Sequence, residues 1–188
     1  VTAGKLIAGA IVVIALVFGG FVYYMQVYHY YEEVKVSGSN DVELTVMASG
    51  AVEPILYEDF KAIDAESSPI RFRGCFSTSM SIPMLTETYE PYEGASPRNA
   101  PDWFDCFDAE MIGAEIDAGT AFVFTGQRNF EWGIDRVVAI TDSGRGYVWH
   151  EINDCGDKAY DGSPLGKDCP PREVTPDVTP DVTSDGDY

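Results

Sequence analysis

Histidine appears only twice in this 188-residue chain, at His29 and His150, and bases of any kind are scarce, with 12 Lys and Arg against 31 Asp and Glu and a formal net charge of −19. So negative a chain repels nucleic-acid phosphate and anionic lipid headgroups instead of binding them, which excludes DNA or RNA binding as its function. The sequence also lacks a GxSxG elbow, a glycine-rich phosphate loop and an HExxH helix. These absences remove the common signatures of serine hydrolases, nucleotide-binding enzymes and zincins. No CxxC occurs among the four cysteines, so thioredoxin-type redox chemistry has no motif, and a zinc site would need close cysteine pairs or histidines at ligand spacing. The expectation is a protein that is not an enzyme, with no metal and no cofactor.

What the chain does have is a long apolar run. From Leu6 to Met25 twenty residues carry no charge, and a helix of that length matches a hydrocarbon core roughly 30 Å thick. A globular core helix would keep a polar face, and a cleavable signal peptide usually has a shorter apolar core ahead of a small-x-small site. Here the run ends in aromatics, and Tyr23, Tyr24, Tyr28, Tyr30 and Tyr31 read as an interfacial belt. The segment reads as an uncleaved anchor, with a late-cleaved signal as the alternative. Lys5 on one flank and Glu32 and Glu33 on the other place the short N-terminal end in the cytoplasm and the bulk of the chain outside. Gly4, Ala8, Ala15 and Gly19 fall within about 60° of one helix face, a small-residue stripe on which another helix could approach closely.

An even number of cysteines in an exported domain reads as a disulfide framework. Of the three pairings that four cysteines allow, Cys155 with Cys169, closing "CGDKAYDGSPLGKDC", and Cys75 with Cys106 are favoured. Four buried free thiols are the alternative.

The chain divides into an anchor and belt (1–33), a Gly/Ser connector (34–40), a periplasmic domain (41–172) and an acidic tail (173–188). In "DVELTVMA" Val42, Leu44 and Val46 alternate with polar neighbours, and in "IRFRGCF" Ile70, Phe72 and Phe76 alternate with Arg71, Arg73 and Cys75, so both predict half-buried strands. "FDAEMIGAEIDAG" (107–119) has helical spacing, early acids and a terminal glycine. "TAFVF", "DRVVAIT" and "GYVWHEI" read as three strands, the last two joined by "DSGRG", whose Gly144 and Gly146 could supply positive φ. Strands in succession with one main helix predict an α+β domain with a small antiparallel sheet behind a single N-terminal transmembrane helix. The repeated Val-Thr-(Pro/Ser)-Asp from Val174 cannot bury enough apolar surface to offset the entropy of ordering it, and it reads as a disordered tail, either a solubilising extension or a tether for a basic partner.

Candidate chemistry is sparse. Asp105, Asp108 and Glu110 surround Cys106 and could form an acid/base or cation site, although acids early in a helix usually answer its N-terminal dipole. Cys75, Met80 and Met84 offer soft sulfur ligands of the kind Cu(I) takes, against the ordinary role of methionine as a gap-filler. "DCGDKAYDG" lacks the ordered ligand spacing of a calcium loop. Arg71 and Arg73 stand out where bases are rare. If Cys75 bonds Cys106, their alternation sets both against the start of the helix and predicts a structural ion pair with Asp105 and Asp108, with ligand binding second. His150, between Trp149 and Glu151, reads as a strand residue beside a core aromatic.

The tracts "SSPIRFRGCF" (67–76), "NAPDWFDCFDAE" (99–110), "GIDRVVAI" (133–140) and "WHEINDCG" (149–156) together resemble an uncharacterised family of single-span alphaproteobacterial membrane proteins with a periplasmic domain, whose members are sometimes auto-labelled histidine kinase. The resemblance transfers no catalytic residue. It implies a bacterial inner-membrane protein, and the kinase label fails because the chain has no room for a dimerisation helix pair plus an ATP-binding domain. Two function classes follow. One is an accessory or assembly subunit of an inner-membrane complex such as a respiratory or photosynthetic electron-transfer complex, with a basic periplasmic protein such as a c-type cytochrome as a further partner. The other is a membrane-tethered periplasmic enzyme or copper/metal carrier.

Overall fold

The computed structural model describes residues 2–157 together with 160, 162, 166 and 169. The acidic tail expected over 173–188 lies outside the described residues, as do residues 170–172 of the expected domain. Helix α1, Ala3–Tyr24, carries no buried side chain and runs on through a π turn, Met25–His29. The whole helical run Ala3–His29 is long and apolar enough to cross a membrane by length and composition. Its 22 α-helical residues span about 33 Å at 1.5 Å each.

Among the described residues six strands form one antiparallel sheet in the order β1-β4-β5-β8-β7-β6. They are β1 Glu32–Glu33, β4 Glu58–Asp64, β5 Arg73–Ser77, β6 Ala121–Glu131, β7 Ile134–Thr141 and β8 Arg145–Ile152. A separate hairpin pairs β2 Glu43–Thr45 with β3 Val52–Pro54, and two short helices, α2 Ile82–Thr88 and α3 Ala109–Asp117, complete the domain. This is the α+β arrangement that strands in succession with few helices require.

Both faces of the sheet are covered, and strand alternation sorts the side chains between them. Val138 and Ile140 of β7, Val148 of β8 and Phe76 of β5 join Leu44, Leu85 and Phe124 under the hairpin and α2. Their strand neighbours Val137, Ala139, Tyr147, Trp149 and Cys75 face the other way, against Phe107 and Ile112 of the α3 side. Burial on both faces explains why β7 reads as a nearly unbroken apolar run. Helix α3 starts where Asp108 accepts hydrogen bonds from the Glu110 and Met111 amides, both 3.0 Å, which satisfies two of the free N–H groups of its first turn.

Three expectations change in the structure. The stretch read as a strand from Ile70 begins instead as a 3-10 turn, Pro69–Arg71, and the strand starts only at Arg73. Pro69 is the cause, since it fixes φ and has no N–H to give a ladder. The connector expected over 34–40 opens inside the sheet: the Val34 amide donates to the Ala62 carbonyl at 2.9 Å. Gly144 has φ 80° as a turn glycine should, but Gly146 does not share that role. It is a β8 residue opposite Phe76, and a Cβ placed there would come within 2.1 Å of the Phe76 ring.

Gly146 is therefore required for space. Gly146→Ala is expected to lower domain stability by about 1–3 kcal/mol through overpacking. Gly113→Ala in α3, where a Cβ meets nothing within 4 Å, should be neutral or stabilising by up to about 1 kcal/mol. Denaturant unfolding of the two variants checks the contrast, and equal effects would contradict it.

Candidate functional site

A buried polar region lies where β7 begins and β8 ends, beside the β6–β7 turn. Asp135 and Glu151 are cross-strand partners, and both are buried. Asp135 Oδ1 accepts from the Asn129 amide at 2.8 Å and from Asn153 Nδ2 at 2.6 Å, and its other oxygen lies 3.5 Å from Arg128 Nη1. Arg128 also bonds Glu90, at 2.8 Å, and lies over the Tyr92 ring. Glu151 Oε1 accepts the indole N–H of Trp149 at 2.7 Å and the Ser96 amide. Burial pushes the Glu151 carboxyl up, opposed by those two hydrogen bonds, and burial followed by the charges of Asp135 and Glu151 pushes the Tyr92 phenol up as well. Tyr92, Arg128, Asn129, Asp135, Glu151 and Asn153 line an open cavity of about 470 Å³. The donors around the carboxylates fasten the Asn129–Gly133 turn and the loop at Ser96 to the sheet. Among the described residues no group of three or more His, Cys, Asp or Glu could hold a metal ion.

On the opposite face of the same two strands, His150 is 2 % exposed. Its ring stacks on Phe72 at 4.8 Å and leans on Phe130 at 4.7 Å. Arg136 Nε donates to His150 Nε2 at 3.1 Å, so that nitrogen is an acceptor and Nδ1–H donates to the Pro69 carbonyl at 2.7 Å. Burial, then the Arg136 charge, pushes the imidazole down to about 4. It is held as a neutral structural residue, without the freedom of a general base.

The residues singled out in the sequence are spread widely. Gly4, Ala8, Ala15 and Gly19 lie on α1, all exposed. Cys75 bonds Cys106 and Cys155 bonds Cys169, leaving no free thiol, and two disulfides mark an oxidising environment. The Cys75 sulfur is consumed by its bond, so the soft-ligand set with Met80 and Met84 does not exist. The ion pair expected between Arg71 or Arg73 and Asp105 or Asp108 is also replaced. Arg73 is buried, with Nε on the Arg98 carbonyl at 2.8 Å and Nη1 on the Ile70 and Phe72 carbonyls at 2.8 and 2.6 Å. Arg71 lies over the Tyr31 ring. Asp108 serves as the α3 cap instead, and among the described residues the ion pairs are formed by Arg128 and Arg145.

Two features escaped the sequence. Asp135 and Glu151 sit at the alternation positions of Val137 and Trp149, so acids on an apolar face were a readable signal. The second is a joint between helix and domain: Trp103 Nε1 donates to the Val27 carbonyl at 2.8 Å, Tyr31 packs edge-on against Trp103, and β1 pairs with β4 through Glu32–Asp64 and Glu33–Ile63. No local pattern announces a contact between positions 27 and 103.

A family profile matches residues 42–170, which is most of the folded domain. The chain belongs to the DUF6446 family, a family of unknown function. Neither a curated protein nor a solved structure matches the chain. Residues 42–170 hold both disulfides and the Asp135–Glu151 pair, whereas α1 lies outside the matched range.

The depressed imidazole sets a pH dependence. The folded state takes up its proton near pH 4 and the unfolded state near 6.5, so the unfolded chain binds more protons between those values and stability falls as pH drops through that window. The contribution is about 3 kcal/mol, present in full above pH 6.5. The raised Glu151 carboxyl acts in the opposite sense, and His150→Gln separates the two. Urea unfolding should show the loss between pH 6.5 and 4 reduced by about that amount in the variant. A loss as large as that of the wild type would contradict it.

Proposed function

We propose that this member of the DUF6446 family is a single-span, non-catalytic accessory or assembly subunit of a larger inner-membrane complex, with its N-terminus cytoplasmic and its acidic domain periplasmic. An electron-transfer complex is the first partner class to test. The observation that carries the reading is the joint at the end of the helix. The Val27 carbonyl and strand β1 are parts of the domain's own fold, so cleavage of α1 in that region would remove groups that the domain uses. This favours a retained anchor over a signal sequence. A helix bonded in this way also fixes how the domain stands over the membrane, which a simple tether has no need to do.

The rest of α1 supports the same reading. Its side chains are unburied, and a methyl group placed on Gly4 or Gly19 meets nothing within 4 Å, so the stripe with Ala8 and Ala15 is open to a second helix. Small residues of this kind let backbones approach in the bilayer, where packing and not the hydrophobic effect drives association. The excess of acids would steer basic regions of a soluble carrier, such as a c-type cytochrome, toward the domain.

The test is mild detergent extraction from native membranes. Wild-type protein should co-migrate with larger integral subunits, and the Ala15→Leu/Gly19→Leu variant should insert as well but be released, because leucine is favourable in the bilayer yet holds helices apart. Wild-type protein migrating alone, or a variant retained as firmly, would contradict the proposal.

A further inference from the structure

Beside the joint between helix and domain is a cleft of about 490 Å³, with Gln26, Val27 and Tyr31 on the helix side and Arg71, Arg73 and Arg98 on the domain side. Its remaining lining is neutral, so three arginines border a space that no carboxylate lines, with Glu151 acting on Arg98 and Asp64 on Arg73 from outside it. In a chain with 31 acids and 12 bases that separation of charge is unusual. Glu32 and Glu33, though close in sequence, pair with β4 through their backbone, are exposed, and do not line the cleft.

We propose that this cleft binds the phosphate of an anionic phospholipid headgroup at the membrane surface. The neighbouring cations are held together without a counter-charge in the cleft. Arg73 is 3 % exposed, and its bonds to the three carbonyls occupy Nε and Nη1, so among the described residues no acceptor is bonded to Nη2. Burial first, with repulsion from Arg98 and Arg71 added and Tyr31 and Asp64 opposing, brings the Arg73 guanidinium down to about 10. A bound phosphodiester would relieve that repulsion and supply acceptor oxygens of the geometry that guanidinium groups match. The position selects the ligand. Gln26 and Val27 lie just beyond the apolar helix, at the level of the tyrosine belt, where headgroups sit. The chain's overall negative charge keeps it off an anionic surface in general, so binding is confined to this one cleft.

The inference rests on α1 spanning the membrane, not on the identity of any protein partner. The test is native mass spectrometry of the detergent-solubilised full chain with added phosphatidylglycerol, phosphatidylcholine or inorganic phosphate. Wild type should retain phosphatidylglycerol in preference to both other probes. Arg71→Gln/Arg98→Gln should weaken it by about tenfold or more, while Lys35→Gln/Lys61→Gln, which removes the same charge outside the cleft, should leave it unchanged. Asn99→Asp keeps every arginine and adds a negative charge at the rim, and it should weaken retention too. Equal retention by wild type and the arginine variant would overturn the proposal, as would phosphatidylcholine bound as well as phosphatidylglycerol. Inorganic phosphate bound as tightly would reassign the cleft to free anions. The same spectra give the intact mass, so a chain lacking α1 would show that the anchor reading itself has failed.

Discussion

The hydrogen bond from the Trp103 indole to the Val27 carbonyl joins the two parts of this protein. A helix end leaves carbonyls without partners, and here one of them is taken by a side chain 76 positions further along the chain. The Tyr31 ring then packs between Trp103 and Arg71, and the next residues become the edge strand of the sheet. Each contact is modest alone, but together they turn what would be a tether into one continuous structure. The position of the arginine cleft and the stance of the acidic domain both follow from this joint.

The domain's ionisable groups divide by environment. Buried ones are assigned to structure: Asp135 to amides and Arg128, Glu151 to Trp149 and Ser96, His150 to Pro69 and Arg136. Satisfying such groups is what makes their burial tolerable. Arg73 is the exception, since it is buried among carbonyls with further guanidinium groups beside it and no paired carboxylate. This contrast is why the cleft, and not the larger polar network around Asp135, carries the ligand proposal.

Local pattern is enough to place α1, β7, β8, α3 and the start of β6, because burial on one or both faces imposes a period on each, whereas β6 continues to Glu131 beyond the apolar "TAFVF". It failed at Pro69, where a missing N–H broke an alternation that the side chains alone appeared to continue, and at Gly146, which is needed for the Phe76 ring and not for a turn. The arginines stand out in the sequence for their rarity, but their partners are not legible there. Asp108 had a nearer demand from the α3 amides, and backbone carbonyls surrounding Arg73 leave no trace in residue identities. Long-range contacts such as Val27 with Trp103 depend on how the sheet brings its edge to the helix, which no window of sequence contains.

Helix and domain form one structure, and amide hydrogen exchange on the full chain in lipid nanodiscs reads this out. The Val34 amide, bonded to the Ala62 carbonyl at 2.9 Å, should exchange with protection comparable to amides inside β4, since both open only when the sheet edge opens. Exchange of Val34 at the rate of an unstructured linker, while β4 stays protected, would show the domain hanging from a flexible tether and would contradict the account.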